Sequence, residues 1–534
     1  MPEPLTDCII SPMKKIVNVC KQKVLLVWLL LSLPAWAPWA YPGAPKTWVG
    51  LLPLYHLQDF LLKVRDFLAW VPPGSHYQLW QSDGWLAYGV PAVLVRLGVP
   101  GWDALKITYV LAMLLGSLGM LLWSERLLGR ERSLWALVPA LGYLYSPYVL
   151  TAAFTRGAGA ELLALGLAPW LGLALSAGWI VAAVVLAALG LWAQPGIGLM
   201  SLALAAAGLP AWRLFSGTGW RRRDSALLAS PLVGGLVGAA GLLPRYLAHG
   251  AGSGLDPSAS VVYLHQLFMP RWGFGFNVPG WKDTMPLQLG APLVLLAVGG
   301  VLLAREYDRR KATFLLTAAG VLSLLSLNFL RPLWHLLGPR SPLAYPWQLL
   351  GFATMALALA GGWIGKGVTE KGMLKEAVAV GALALVLVVG YAHLDPELVY
   401  IASPEHPVGV FGKDNVALVD AAVWTEPKQE HVFFVRLSWQ NIHTLDEDYS
   451  IFIHIVDSSG KRIAQHDELL KDEYGNGTSK WWPGELVKKE YELRLKLYGT
   501  RPYKAHVGLY QWKSGKRLPV GKGTDVTIEV VDER

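Results

Sequence analysis

The chain has 534 residues, is 53% hydrophobic and 16% charged, and carries a net charge of +9, with a mean hydropathy of +0.37. Soluble domains carry roughly 25% charged residues, so a wholly water-soluble globule is excluded. The basic residues fall in short clusters between apolar runs, not on one soluble face, which excludes nucleic-acid binding as the source of the charge.

Residues 1–23 form a basic segment with Lys14, Lys15, Lys21 and Lys23, expected in the cytoplasm. It holds both cysteines, Cys8 and Cys20, so the C-terminal part has no disulfide available to it. Ala35-Trp36-Ala37 has the small-residue form of a signal-peptidase site, but an uncleaved first helix is the expectation for a multi-span chain. A spanning helix takes about twenty mostly apolar residues. On that criterion about eleven spans are expected within 24–393: 24–40, 104–123, 134–152, 160–177, 178–193, 197–214, 226–244, 288–304, 312–330, 344–365 and 377–393. Alternation from a cytoplasmic start puts Arg126/Arg130/Arg132, Arg213/Arg221/Arg222/Arg223, Arg305/Arg309/Arg310/Lys311 and Lys366/Lys371/Lys375 inside. Each is a basic cluster, as the positive-inside rule requires. The long loops 41–103 and 245–287 then lie outside and are rich in Trp and Tyr, which suits either an interfacial aromatic belt or a binding surface.

Residues 394–409 read as a linker, and 410–534 as short alternating strands separated by turns such as Asp457-Ser-Ser-Gly460. The fold class expected is therefore a polytopic α-helical membrane protein of the cytoplasmic (inner) membrane. An antiparallel β-sandwich at its C-terminal end would lie outside the cytoplasm.

No P-loop, G-x-S-x-G, HExxH or Cys/His metal cluster is present. The candidates are ionisable groups near the outer membrane face, where they are costly to keep. Asp59 lies in the first outer loop with Lys63 four residues on, a spacing that also suits a plain helix-surface ion pair. Asp66 and Asp83 compete for any role it has. Arg156 and Glu161 lie at the outer end of a span and equally suit a self-neutralising pair. His265 and Arg271 lie in the second long loop.

Several motifs occur in order: Asp59, Gly74, Trp80 and Gly89-Val-Pro91; Ser146-Pro147-Tyr148, Arg156-Gly157 and Glu161; Leu267-Phe-Met-Pro-Arg-Trp-Gly273 leading to Gln288-Leu-Gly290; and Tyr345-Pro-Trp-Gln348. This order resembles the GT-C superfamily of membrane glycosyltransferases, and more narrowly the bacterial membrane proteins labelled "6-pyruvoyl-tetrahydropterin synthase-related". The chain departs from that pattern at Gln78-Leu79-Trp80, where Pro-Arg-Trp is expected. It departs again at Ala92-Val-Leu-Val95, and at Gln348, which stands where an Arg is expected.

The resemblance implies transfer of a sugar from a polyprenyl-phosphate-linked donor to a glycan, lipid or protein acceptor at the outer face, in cell-envelope assembly. It implies Asp59 as the base taking a proton from the acceptor hydroxyl. Arg156 or Arg271, or a divalent cation such as Mg or Mn, would stabilise the leaving phosphate. Glu161, His265, Trp80 and Gln348 would line the donor or acceptor. In the C-terminal part, Trp481 and Trp482 suit stacking on sugar rings if exposed, or a domain core and loop staple if not. A non-catalytic membrane scaffold or polysaccharide-handling protein of the same fold is the alternative, with a transporter behind it.

Overall fold

The computed structural model of the chain describes residues 24–41, 44–45, 47, 52–63, 84–129, 134–242, 256–269, 285, 287–367, 372–391, 393–394, 398–399, 407–412, 415–426, 431–442, 445–472, 475–481, 486–495 and 499–532. They form two units that divide mainly between Glu397 and Leu398.

The first unit is helical. Its main helices are α1 (Val24–Trp36), α2 (Leu52–Lys63), α3 (Leu86–Arg96), α4 (Gly101–Leu128), α5 (Leu137–Leu144), α6 (Gly159–Ala177), α7 (Ile180–Ala193), α8 (Pro195–Phe215), α9 (Arg222–Gly241), α10 (Ala291–Leu303), α11 (Glu306–Ser326), α12 (Leu349–Gly362) and α13 (Gly372–Tyr391). Among the described residues α4, α6, α8 and α9 are long and apolar enough to cross a membrane; Leu134–Leu144 with Pro147–Thr155, bent by 42°, makes a fifth if taken as one span. The expected count of about eleven is corrected accordingly. Apolar runs do not reveal where helices stop. Gln194-Pro195 ends α7 after 14 residues, α10 has 13, and α11 opens on Glu306, Asp308, Arg309, Arg310 and Lys311.

These helices are apolar on the outside as well as inside. Leu232, Val233, Leu236 and Val237 of α9 are all exposed, Leu236 at 73%. A helix that is apolar on every side suits lipid, not water, and the chain is a membrane protein on this ground. Inside, small residues let backbones meet: a side chain at Gly166 of α6 would come 2.7 Å from the Ala112 carbonyl oxygen of α4. Trp28 of α1 donates its indole N–H to Ser117 Oγ at 2.9 Å. Tyr145 donates its hydroxyl to the Leu31 carbonyl at 2.7 Å, tying α1 to the bundle.

The second unit is a sheet domain of strands β1 (Gly409–Phe411), β2 (Val416–Thr425), β3 (Val432–Asn441), β4 (Tyr449–Val456), β5 (Arg462–Leu469), β6 (Leu486–Arg494), β7 (Lys504–Gln511) and β8 (Val526–Asp532). The bonded order is β5-β4-β7-β8-β2-β3-β6, with β1 beside β2. Pairing is antiparallel except at one seam. The first half of β8 pairs antiparallel with β7, and its second half pairs parallel with β2. The end strands β5 and β6 meet through side chains, with the His466 and Tyr491 rings 5.1 Å apart. The path therefore curls around one core, which contains Phe433, Trp439, Ile453, Trp481 and Val507. Alternation along β3 and β6 puts one face of each strand into that core.

Candidate functional site

Three of the motifs named above converge in the helical unit, although the chain separates them widely. Ser146 starts the first. Its Oγ accepts from Val149 N at 3.3 Å, and Pro147 occupies the first helical position, a pairing that nucleates a short helix. Thr151–Thr155 then widens into a π-turn, in which Arg156 N donates to the Thr151 carbonyl at 2.8 Å. Gly157 follows with φ +67°. The wide turn carries Arg156 back toward the first turn of α6, where Glu161 sits. A carboxylate is favoured at that helix end by the partial positive charge of free N–H groups.

The two form a closed fork. Arg156 NH1 donates to Glu161 Oε2 at 3.0 Å and NH2 to Oε1 at 2.8 Å. Tyr148 donates its hydroxyl to Oε1 at 2.7 Å. Gln348 Nε2, from the turn that opens α12, donates to Oε2 at 3.2 Å. The guanidinium also lies over two rings, Trp347 at 4.4 Å and Tyr148 at 4.9 Å from their centroids, and Tyr345 stacks on Trp347 at 4.7 Å. All five side chains, Tyr148, Arg156, Glu161, Trp347 and Gln348, are buried. Such a pair out of water needs this completeness: four donors meet one carboxylate, and geometry offsets much of the desolvation.

The third motif locks against the first. Gly290 has φ +88°, and a side chain there would come 2.9 Å from Pro147 Cδ. Leu289 N donates to the Leu267 carbonyl at 3.2 Å, joining the Leu-Phe and Gln-Leu-Gly stretches.

Some buried polar atoms here lack partners among the described residues: Thr151 Oγ1, Thr155 Oγ1, Arg156 Nε and Trp347 Nε1. Two hydroxyls of the π-turn, the next residue's guanidinium and the indole beneath it are thus left with hydrogen-bonding capacity. Buried polar groups are normally satisfied, so such a group of exceptions suits a water or a polar ligand.

The other candidates have no described contact with this cluster. Asp59 lies on α2, whose described side chains include His56, held to α3 by a 2.7 Å contact between its Nδ1 and the Tyr88 hydroxyl. His265 is exposed on the turn Leu264–Leu267, and among the described residues no hydrogen bond joins it to Arg156 or Glu161. Its neighbour Gln266 is buried, with Oε1 accepting from Tyr263 N at 2.8 Å. Trp80, Arg271 and Trp482, with Asp66 and Asp83, lie outside the described residues. Among the described residues no three of His, Cys, Asp and Glu come together to hold a metal ion.

Trp481 corrects the stacking expectation. It is fully buried in the sheet core, and its indole N–H donates to the Asn476 carbonyl at 3.0 Å. A ring in that position has no face to offer a sugar. Sequence reading quoted Tyr148 and Trp347 only as parts of motifs; a Tyr and a Trp adjoining motif positions near a buried Arg–Glu pair were the available signal.

No family model matches the chain, and no curated protein matches it. A solved structure of the arabinofuranosyltransferase AftD from mycobacteria is similar over 71% of this chain, at 16% identity and a TM-score of 0.45, and the chain covers 26% of that protein. This chain thus spans about a quarter of that enzyme's length. The Pseudomonas fluorescens alkylpurine DNA glycosylase AlkC aligns at 11% identity with a TM-score of 0.13, over 79% of this chain and 98% of that one. Both scores are too low to carry an argument about fold or activity.

Proposed function

We propose that the chain is a membrane glycosyltransferase of GT-C-like build, working at the outer membrane face on a polyprenyl-phosphate-linked sugar. The observation that carries this reading is the set of buried, unpartnered donors around Arg156, built by the same motifs that carry the family resemblance. Arg156 is fixed by Glu161, Tyr148 and Gln348, so its Nε and the Trp347 N–H are held in place before any ligand arrives. Preorganised donors of this kind stabilise negative charge that develops on a departing phosphate. Asp59 would take the proton of the acceptor hydroxyl, leaving the sugar–phosphate bond to break as the new glycosidic bond forms. The N-terminus would be cytoplasmic and the sheet domain outside the inner membrane.

A second reading is favoured by one feature. Both terminal nitrogens of Arg156 are already spent on Glu161, which suits a scaffold that keeps the fold without the chemistry.

The test is sugar transfer by the full-length protein in nanodiscs, using polyprenyl-phosphate-linked pentose and hexose donors. Asp59→Asn should lower turnover about 10²- to 10⁴-fold with the melting temperature unchanged. No transfer by the wild type from any such donor would leave the scaffold reading standing, and full activity in Asp59→Asn would remove Asp59 as the base.

A further inference from the structure

Within the helical unit, α4, α6, α8, α11 and α12 enclose a cavity of about 420 Å³. Its walls are apolar over most of their height, with Leu171, Leu204, Phe314, Leu322, Phe352 and Met355 among them. One end is different. Arg126 is in the last turn of α4 and Arg213 in the last turn of α8, while Lys311 is near the start of α11. All three line the cavity, and no acidic side chain does. Arg213 is held by Asp224 at 2.7 Å and Lys311 by Asp308 at 3.2 Å, so both are positioned; Arg126 is exposed. The cavity therefore has a cationic mouth and an apolar shaft. From Lys311 to Leu322 the shaft runs roughly 16 Å along α11.

We infer that this cavity binds a membrane lipid with a phosphate headgroup, its phosphate at Arg126, Arg213 and Lys311 and one chain in the shaft. Charge complementarity selects the head. A neutral lipid would leave Arg126 uncompensated, whereas a phosphate accepts from it and from the Arg213 guanidinium, whose Nε has no hydrogen-bond partner among the described residues. The apolar wall selects the tail, because a free anion would gain nothing from Leu171, Phe314 or Met355. The mouth belongs to the end bearing the basic clusters, and its residues are separate from the Arg156–Glu161 fork. The inference does not depend on the sugar-transfer reading.

The experiment uses the full-length protein in phosphatidylcholine nanodiscs doped with a diazirine-bearing phosphatidic acid, with labelled peptides mapped by mass spectrometry. Label should fall on α6, α8 and α11 around Leu171, Leu204 and Phe314. Unlabelled phosphatidic acid should compete, and diacylglycerol and inorganic phosphate should not. Gly208 of α8 lines the cavity, and a side chain added there meets nothing within 4 Å. Gly208→Leu should therefore fill the shaft without strain and suppress the label. Arg126→Gln, at the exposed rim, should weaken labelling about fivefold at an unchanged melting temperature, and it reads the head independently of packing in the shaft. Label confined to the outer surface of the bundle, equal competition by diacylglycerol or by inorganic phosphate, or undiminished label in both variants would overturn the inference.

Discussion

Gln348 Nε2 donates to Glu161 Oε2 at 3.2 Å, so the turn that opens α12 is bonded to the first turn of α6. That contact makes the Arg156–Glu161 pair a junction between distant parts of the helical unit. It also sets what each partner costs to remove.

Glu161→Gln should be severely destabilising. It leaves the Arg156 guanidinium buried against Trp347 and Tyr148 with no anion, and breaking a buried pair by removing one partner costs about 3–5 kcal/mol. Replacing both partners, Arg156→Met with Glu161→Leu, should recover part of the loss, because the desolvation of both charges disappears together, while Tyr148 and Gln348 lose their acceptor. Melting temperature and monodisperse yield in detergent measure this. A double variant no better than Glu161→Gln would contradict the account. If the fork serves only the fold, a recovered double variant would also keep whatever transfer activity the wild type has.

Gly290→Ala should lower stability by roughly 1–3 kcal/mol, since the residue holds φ +88° and the new methyl would meet Pro147 Cδ. Gly320→Ala is the control: that position, inside α11, has open space around it, so it should be neutral or stabilising by about 0.5–1 kcal/mol. Comparing the two melting curves separates strain from a general intolerance of substitution.

Trp481→Ala should unfold or weaken the sheet domain, by about 3–5 kcal/mol for a fully buried aromatic. Urea unfolding of residues 398–534, followed by circular dichroism, is the readout. Unchanged stability together with lost glycan binding would return Trp481 to the surface role that its burial excludes.

The sheet domain should lose stability on mild acidification through His454. Burial and then the nearby Arg462, whose NH1 is 3.4 Å from the ring Nε2, hold its pKa below the ordinary 6.5. Arg517 and the cross-strand His506 act in the same direction, and Asp467 opposes them. Between the folded value and 6.5 the unfolded chain binds a proton that the folded domain does not, so this group makes stability rise with pH across that window and leaves it level on either side. His454→Gln should flatten the slope of urea midpoint against pH just below 6.5. An unaltered slope would assign the acid sensitivity elsewhere.

Residue types near an apolar boundary made part of the site legible. Arg156 and Glu161 stood out because charged groups beside lipid-compatible runs are expensive, Gln348 only through the resemblance, and the three meet. Nothing local told that Tyr148 and Trp347 would complete the shell, because the contact spans separate helices. Hydropathy found the apolar runs, and the break at Gln194-Pro195 that divides α7 from α8, but not that α7 and α10 are only 14 and 13 residues long, which is why fewer runs qualify as spans than expected. For Trp481 the sequence left both a stacking and a core role open, and the Asn476 carbonyl supplies the partner that lets the indole go inside. Strand alternation located β8 but carries no record of which strand lies beside it, so its parallel seam with β2 was invisible.

The curled strand path also bears on how the sheet domain meets copies of itself. A row of free N–H and C=O groups along an end strand invites another chain to add on. Here β5 and β6 are those end strands, and they face each other across His466 and Tyr491. Both carry charge where an incoming strand would lie, with Arg462, Asp467 and Glu468 on one and Lys488, Lys489 and Glu490 on the other. An intruding strand would have to displace that ring contact and desolvate both charged rows, so the fold protects itself against edge-to-edge aggregation at β5 and β6.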